Sequence, residues 1–251
     1  MGVFEDMGKF IAEFPNRFYS NFIDGEMWRY ITDGLKTTLT VTFFAVVIGV
    51  VLGFVIALIR ATYDRTGKKI FRWDGFGDFL LWLLNLISKL YLTVIRGTPV
   101  VVQLLIIYFV IFASVDIDKV LVAVIAFGIN SAAYVAEIFR GGIMSIDIGQ
   151  MEAGRSLGFS YWQTMMHIIL PQAFKTVLPT LGNEFIVLLK ETSVAGYIAL
   201  QDLTKGGDII RSRTYDAFFP LIAVAIIYLV MVMIFTKLVS MLERRLQQSE
   251  R

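Results

Sequence analysis

The sequence predicts an all-α integral membrane protein, and two observations lead to this prediction. Of the 251 residues, 57% are hydrophobic and only 18% are charged, whereas a soluble domain is about 45–50% apolar and about 25% charged. Residues 39–59 and 217–236 contain no charged side chain, and about 20 apolar residues are enough for a helix to cross a bilayer. So few charges could hardly cover a water-exposed surface, and a net charge of +2 argues against nucleic acid as a partner.

The residue types and motifs that the sequence lacks argue against several kinds of chemistry. The chain has no cysteine and one histidine, His167, so we expect no disulfide, no thiol nucleophile and no metal site. It contains no GxxxxGK[ST] motif, so any ATP that the protein depends on must be held by another chain. Residues 1–33 lack a short apolar run closed by small residues. We therefore expect no removable signal peptide and insertion directed by the first apolar span.

Five crossings are predicted, at about residues 35–60, 97–115, 120–139, 176–200 and 217–237. The fourth carries Glu184, Lys190 and Glu191, so it reads as a broken or functional span. Residues 79–95 are rich in Leu and Trp but include Lys89 and are followed by Arg96. Its hydropathy alone therefore does not decide whether this segment crosses the membrane.

The charges of the loops decide whether residues 79–95 cross the membrane. Basic residues follow the first span, and Glu243-Arg244-Arg245 follows the last; the positive-inside rule places both segments in the cytoplasm. An even number of crossings must lie between them, so residues 79–95 are predicted as an interfacial helix. The N-terminus is then outside and the C-terminus inside. The basic residues after the first span are Arg60, Arg65, Lys68, Lys69 and Arg72.

The predicted organisation is an interfacial, extracytoplasmic N-terminal arm (residues 1–33), a transmembrane domain (34–240) and a cytoplasmic tail (241–251). Aromatic residues of the arm suit a helix that lies on the outer membrane face. They are Phe14, Phe18, Tyr19, Phe22, Trp28 and Tyr30.

One sizeable loop, residues 141–175, has a pattern of its own. A short helix is predicted up to Gly158, which is a typical helix stop. A second short helix is predicted from Tyr161 to Leu170, where Pro171 would end it. The pair forms either a unit that protrudes into the cytoplasm or an ordinary loop that caps the bundle.

Several motifs in register resemble the ABC importer permeases of the polar amino acid branch. Glu152-Ala153-Gly154 with Gly158 resembles their EAA motif, with Gly154 in place of the second Ala. The similarity runs from about residue 34 to the last span. Its other motifs are Arg96-Gly97-Thr98-Pro99 with Gln103, the run 131–142, Leu170-Pro171-Gln172-Ala173, Leu178-Pro179, Asn183-Glu184 and the run 189–193.

This resemblance implies the type I permease fold, in a multi-pass protein of the bacterial inner membrane. It implies a polar amino acid as substrate and alternating access driven by a cytoplasmic ATPase dimer, which binds ATP and Mg²⁺. A second permease chain, identical or sister, and an extracytoplasmic amino-acid-binding protein complete the assembly. The chain itself is then not an enzyme and has no catalytic residues or cofactor. A coupling helix docks on the ATPase through Glu152, Ala153, Gly154, Leu157 and Gly158. The alternative is that this helix face packs on its own bundle.

Polar residues inside the spans are the candidates for the substrate passage, because ionisable groups there are costly and usually face a cavity or a partner. Thr98 is a possible N-cap whose helix, with Pro99 in its first turn, would present N–H groups to a carboxylate. Each candidate could instead serve helix packing. The set is Thr98, Gln103, Asn130, Ser131, Tyr134, Glu137, Asn183, Glu184, Lys190, Glu191, Thr192 and Ser193.

Two other functions fit a multi-pass chain of this size. One is an ion-gradient-driven transporter or channel subunit, although we find no convincing inverted repeat. The other is a structural membrane subunit of another complex. The sequence leaves open which amino acid is carried and whether the substrate site lies in this chain.

Overall fold

A computed structural model describes residues 12–66 and 76–248. Helices dominate this part of the chain, and it contains no strand. Lys68, Lys69 and Arg72, which contributed to the orientation argument, lie outside the described residues. The helices are α1 Trp28–Thr66, α2 Phe76–Gly97, α3 Val100–Ile106, α4 Lys119–Ser145, α5 Ile148–Ser156, α6 Tyr161–Thr164, α7 Leu170–Glu191, α8 Leu203–Thr214 and α9 Phe218–Gln248.

Four helices are long and apolar enough to cross a membrane by length and composition: α1, α2, α4 and α9. The 22-residue helix α7 is as long as α2, and it lies between α4 and α9. Its charged residues, among them Glu184 and Lys190, lower its hydropathy.

Helices α1 and α4 run in the same direction. Val41 shares a core cluster with Phe127, the ring centroids of Phe54 and Phe139 are 5.1 Å apart, and Arg65 Nη2 donates to the Ile143 carbonyl at 2.7 Å. Two parallel helices require the chain between them to return across the membrane.

Helices α2 and α3 make this return together. Leu92 of α2 packs on Ala136 of α4, whereas Leu104 of α3 packs near Val122, so the chain moves along α4 against its direction. Residues 107–111 continue α3 as a π-helical turn. The chain therefore crosses the membrane five times, through α1, α2 with α3, α4, α7 and α9.

The second crossing differs from the sequence-based prediction. Residues 79–95 are not a separate interfacial helix, because α2 packs along α1 and α4. The apolar stretch Val100–Ile111 extends only about 18 Å, too short for a core of about 30 Å. The prediction was wrong because the parity argument counted residues 97–115 as a complete crossing, which left no crossing for residues 79–95, whereas the two segments cross together.

Helices α7 and α9 complete the bundle. Phe174 contacts Phe139 with ring centroids 5.6 Å apart, and Ser131 donates to Glu184 at 3.2 Å, so α7 runs antiparallel to α4. The ring centroids of Phe185 in α7 and Phe235 in the second half of α9 are 4.8 Å apart. The two ends of the bundle are named the α5 end and the arm end, the latter after residues 12–27.

The predicted helix end at Leu170-Pro171 was wrong. Residues 161–191 form one continuous helical path, in which a π-helical turn, Met165–Ile169, joins α6 to α7. Pro171 lies in the first turn of α7, where its missing N–H matters least. Pro179 lies inside the same helix. Residues 161–169 of the predicted loop thus extend the helix of the α7 crossing.

The arm is tied to the turn between α8 and α9. Arg17 Nη2 lies 2.8 Å from Asp216, and Asn21 donates to the same carboxylate at 3.1 Å. The Phe14 and Phe219 rings meet edge to face at 4.9 Å. Of the arm's six predicted aromatic residues, Phe14, Phe18, Tyr19 and Trp28 are exposed, and Phe22 and Tyr30 are partly buried.

Candidate functional site: a projecting helix and a basic cavity

Helix α5 begins and ends where its sequence dictates. The Asp147 carboxylate accepts from the Gly149 N–H at 2.6 Å and caps the first turn. Gly158 follows the helix at φ +89°, a conformation that glycine adopts without steric cost. The predicted stop at Gly158 is confirmed.

One face of α5 packs on its own chain. Met151 and Gly154 are buried, and a Cβ atom at Gly154 would lie 2.6 Å from Cγ2 of Thr164. The glycine therefore lets α5 approach the α6–α7 path closely. For this residue the structure favours packing against the bundle over contact with a partner.

The opposite face of α5 is open. Glu152 and Ala153 are exposed, and Leu157 exposes 78% of its surface. Ile148, Phe159 and Trp162, close to it in sequence, are exposed as well, and several exposed apolar side chains near one short helix are a feature of a docking surface.

The segments on both sides of α5 are hydrogen-bonded to α1. Arg65 Nη2 donates to the carbonyls of Ile143 and, at 3.3 Å, Ile146, and the Tyr161 hydroxyl donates to Thr62 at 3.4 Å. Burial is the main cause that raises the pKa of Tyr161 above its usual value. Displacement of α5 would therefore be transmitted to the ends of α1 and α4.

A cavity of about 640 Å³ opens between α1, α2 and α4, within the usual volume range of small-molecule sites. Sequence reasoning predicted Tyr134 and Glu137 here and missed the basic residues. Lys89, Thr93 and Arg96 are spaced i, i+4, i+7, so they share one helix face, and this spacing is the signal that was overlooked. The lining residues are Arg60, Lys89, Leu92, Thr93, Arg96, Gly97, Tyr134 and Glu137.

The charges of this cavity are unbalanced. Nε and Nη1 of Arg60 are buried without a hydrogen-bond partner, and the Arg96 guanidinium lies 5.6 Å from the centroid of the Tyr134 ring. Glu137 is engaged by Arg140 at 2.9 Å, and Arg140 also contacts Asp64 at 3.2 Å. The lining therefore offers more positive than negative charge.

The predicted residues Thr98, Gln103 and Asn130 form a closed network. Gln103 donates to the Ile95 carbonyl at 2.7 Å and to Thr98 Oγ1 at 2.8 Å, and Asn130 donates to Gln103 at 3.0 Å. These bonds fasten the α2–α3 break to α4. Thr98 is not an N-cap: Pro99 holds that position, and Thr98 Oγ1 donates back to the Val94 carbonyl at 2.8 Å.

The remaining candidates separate by exposure. Ser131 is buried against Glu184, and Thr192 is buried with its hydroxyl bonded to the Leu189 carbonyl. Glu191 is half-buried, and Ser193 lines a second cavity, of about 530 Å³, at the arm end. Asn183 and Lys190 are exposed on α7. The structure thus does not bring the predicted passage residues into a single site.

The five-pass bundle, its polar cavity and its projecting short helix define the class: a multi-pass membrane permease. Residues 79–248 match the family described as binding-protein-dependent transport system inner membrane component. The chain belongs to this family, as a permease subunit of an amino acid ABC importer in the inner membrane. Permease subunits of such importers are not themselves enzymes.

Two curated relatives cover most of the chain. The arginine transport system permease protein ArtQ of Bacillus subtilis is 37% identical over 223 residues, 88% of this chain and 94% of the relative. The glutamine transport system permease protein GlnP of Escherichia coli K12 is 38% identical over 220 residues, 86% of this chain and 93% of the relative.

Solved structures support the type I permease fold. The crystal structure of an amino acid ABC transporter with histidines is 44% identical in sequence, with a TM-score of 0.73, and the match covers 86% of this chain and 94% of that chain. The inward-facing MetNI methionine ABC transporter has the same TM-score at 18% identity, covering 90% and 99%. The latter likeness concerns the fold alone.

Proposed function

We propose that the protein carries a polar amino acid into the cytoplasm by alternating access, driven by a separate ATPase that binds ATP and Mg²⁺. The relatives named for arginine and glutamine support this substrate class. The observation that carries the proposal is α5, a rigidly seated helix that presents Glu152, Ala153 and Leu157 outward.

The exposed face of α5 is proposed to dock in a groove of the ATPase. Leu157 supplies the apolar anchor, Glu152 a polar contact, and Gly158 the turn that frees the anchor. Closure of the ATPase dimer on ATP then moves α5 as a rigid body. Arg65 of α1 is hydrogen-bonded to the carbonyls of Ile143 and Ile146, just before α5. The displacement therefore rocks α1 and α4 and changes which end of the pathway is open.

The orientation follows from this role. The α5 end faces the cytoplasm, and the arm end faces an extracytoplasmic binding protein that delivers substrate. One chain with five passes encloses no pathway, so a second permease chain is proposed. The exposed residues Asn183, Val187 and Lys190 share one face of α7 and support a polar passage against that second chain.

The experiment is recovery of the ATPase. The tagged chain is purified from its native membranes, and co-purifying chains are identified by mass spectrometry and ATP hydrolysis. We expect an ATP-binding chain with the wild type and its loss with Leu157→Asp, because a charge would be placed in an apolar contact.

The matched control is Tyr215→Asp, at a residue that is 95% exposed at the arm end. Its left-handed backbone, φ 54°, suits aspartate. We expect this variant to retain the ATPase. Absence of any ATPase chain, or its retention by Leu157→Asp, contradicts the proposal.

A further inference from the structure

The basic residues of the α1–α2–α4 cavity lack counter-charges. Among the described residues, Arg60, Lys89 and Arg96 have no carboxylate within ion-pair distance, and Glu137, the carboxylate among the described lining residues, is paired with Arg140. An unpaired cation is expensive where it lies within a membrane-spanning helix, as Lys89 does in α2, and such residues usually face a cavity or a partner.

The acidic groups nearest the cavity are already engaged. Both Nε and Nη2 of Arg140 bond to Oε2 of Glu137, and Nη1 of the same arginine bonds to Asp64. These two carboxylates are not free to neutralise the three cavity cations. Glu137 lines the cavity, and both bonds from Arg140 go to its Oε2, so its Oε1 accepts no hydrogen bond from the described residues.

We propose that this cavity binds an amino acid with two carboxylates, such as aspartate or glutamate. Arg60, Lys89 and Arg96 bind the two carboxylates, and Oε1 of Glu137 accepts from the α-ammonium. The inference rests on the proposed function and names the substrate class of its site.

The charge balance selects this class over the others. A cationic amino acid would place its side-chain charge among three cations. A neutral amino acid brings one carboxylate, which leaves two of the three cations without a counter-charge. An amino acid with two carboxylates leaves only one, and arginine binds a carboxylate with two parallel hydrogen bonds.

A phospholipid phosphate could meet the same cations, so the test separates the two sources. The permease–ATPase complex is placed in nanodiscs of phosphatidylcholine, and binding of L-glutamate, L-glutamine and L-arginine is measured by saturation-transfer NMR. We expect L-glutamate to bind about tenfold more tightly than its isostere L-glutamine, and L-arginine to bind more weakly still.

Two lysine variants provide the comparison. Lys89→Gln removes one cavity cation, so we expect the preference for glutamate over glutamine to fall to about one, that is, by about tenfold. Lys36→Gln, at a lysine whose side chain is 79% exposed and far from the cavity, leaves the preference unchanged.

The inference is overturned if glutamate and glutamine bind equally well or if arginine binds more tightly than glutamate. It is also overturned if Lys89→Gln weakens the binding of glutamate and glutamine by the same factor. Displacement of glutamate by phosphatidylglycerol in the nanodisc, dependent on Lys89, assigns the site to lipid and also overturns it. ATP-driven uptake of a neutral amino acid with no glutamate preference refutes this inference alone. Loss of all ATP-driven uptake by the wild type refutes the proposed function.

Discussion

The close approach of α1 and α4 depends on Gly53, and substitution by alanine gives a quantitative prediction. An added Cβ would lie 2.8 Å from the Ala132 carbonyl oxygen and 2.7 Å from Cγ1 of Val135, against an ordinary contact of 3.4 Å or more. Because one of these atoms is backbone, a rotamer change cannot relieve the overlap. The helices must separate, in the manner expected where small residues set a helix–helix interface.

The magnitude is a balance of two effects. Alanine gains about 1 kcal/mol of helix propensity over glycine, while overpacking costs about 1–3 kcal/mol. The control is Gly141→Ala in α4, where a new Cβ meets nothing within 4 Å, so only the gain applies. We expect Gly53→Ala to be less stable than Gly141→Ala by about 1–3 kcal/mol.

Thermal unfolding of the purified protein in detergent, followed by intrinsic fluorescence, measures this difference. About 1 kcal/mol shifts the melting temperature by about 2–4 °C for a chain of this size, so a gap of several degrees is expected. A Gly53→Ala variant that melts at or above the temperature of Gly141→Ala would refute the packing argument.

Three further predictions concern other contacts. Gln103→Leu leaves buried polar groups without partners and should lower stability by about 1–3 kcal/mol; adding Asn130→Leu should cost little more in thermal unfolding, and additive losses would contradict the network. Gly154→Val should displace α5 from Thr164, so that ATPase retention falls; full retention would contradict this. Burial raises the pKa of Asp202, in the loop before α8, from 3.8 to about 6. The folded state therefore binds this proton more tightly, and stability falls by at most about 3 kcal/mol as pH rises from about 4 to about 6. Asp202→Asn should remove this slope in melting temperatures measured across the range, and an unchanged slope would contradict it.

The sequence was sufficient for the fold class because membrane crossing is a property of local composition. The uncharged stretches within α1 and α9 identify crossings by length alone. Helix α5 and its stop were also readable, since caps such as Asp147 and turns such as Gly158 act within a few residues.

The extent of the second crossing could not be predicted from the local sequence in the same way. Whether Lys89 and Arg96 face lipid or protein depends on the position of α1 and α4, which no local pattern contains. The same reason explains the site. Gln103 and Asn130 are natural passage candidates by type, but only the packing of α3 on α4 shows that they bond to each other. Arg60 joins the cavity from a helix distant in sequence.

Uptake into liposomes tests whether ATP drives transport through this permease. The permease and its co-purified ATPase are reconstituted with the cognate binding protein, and a panel of labelled amino acids is supplied outside. We expect accumulation of a polar amino acid that requires ATP and Mg²⁺ at the ATPase and is lost in Leu157→Asp but not in Tyr215→Asp. Accumulation driven by an ion gradient with this chain alone, in the absence of ATP, would contradict it.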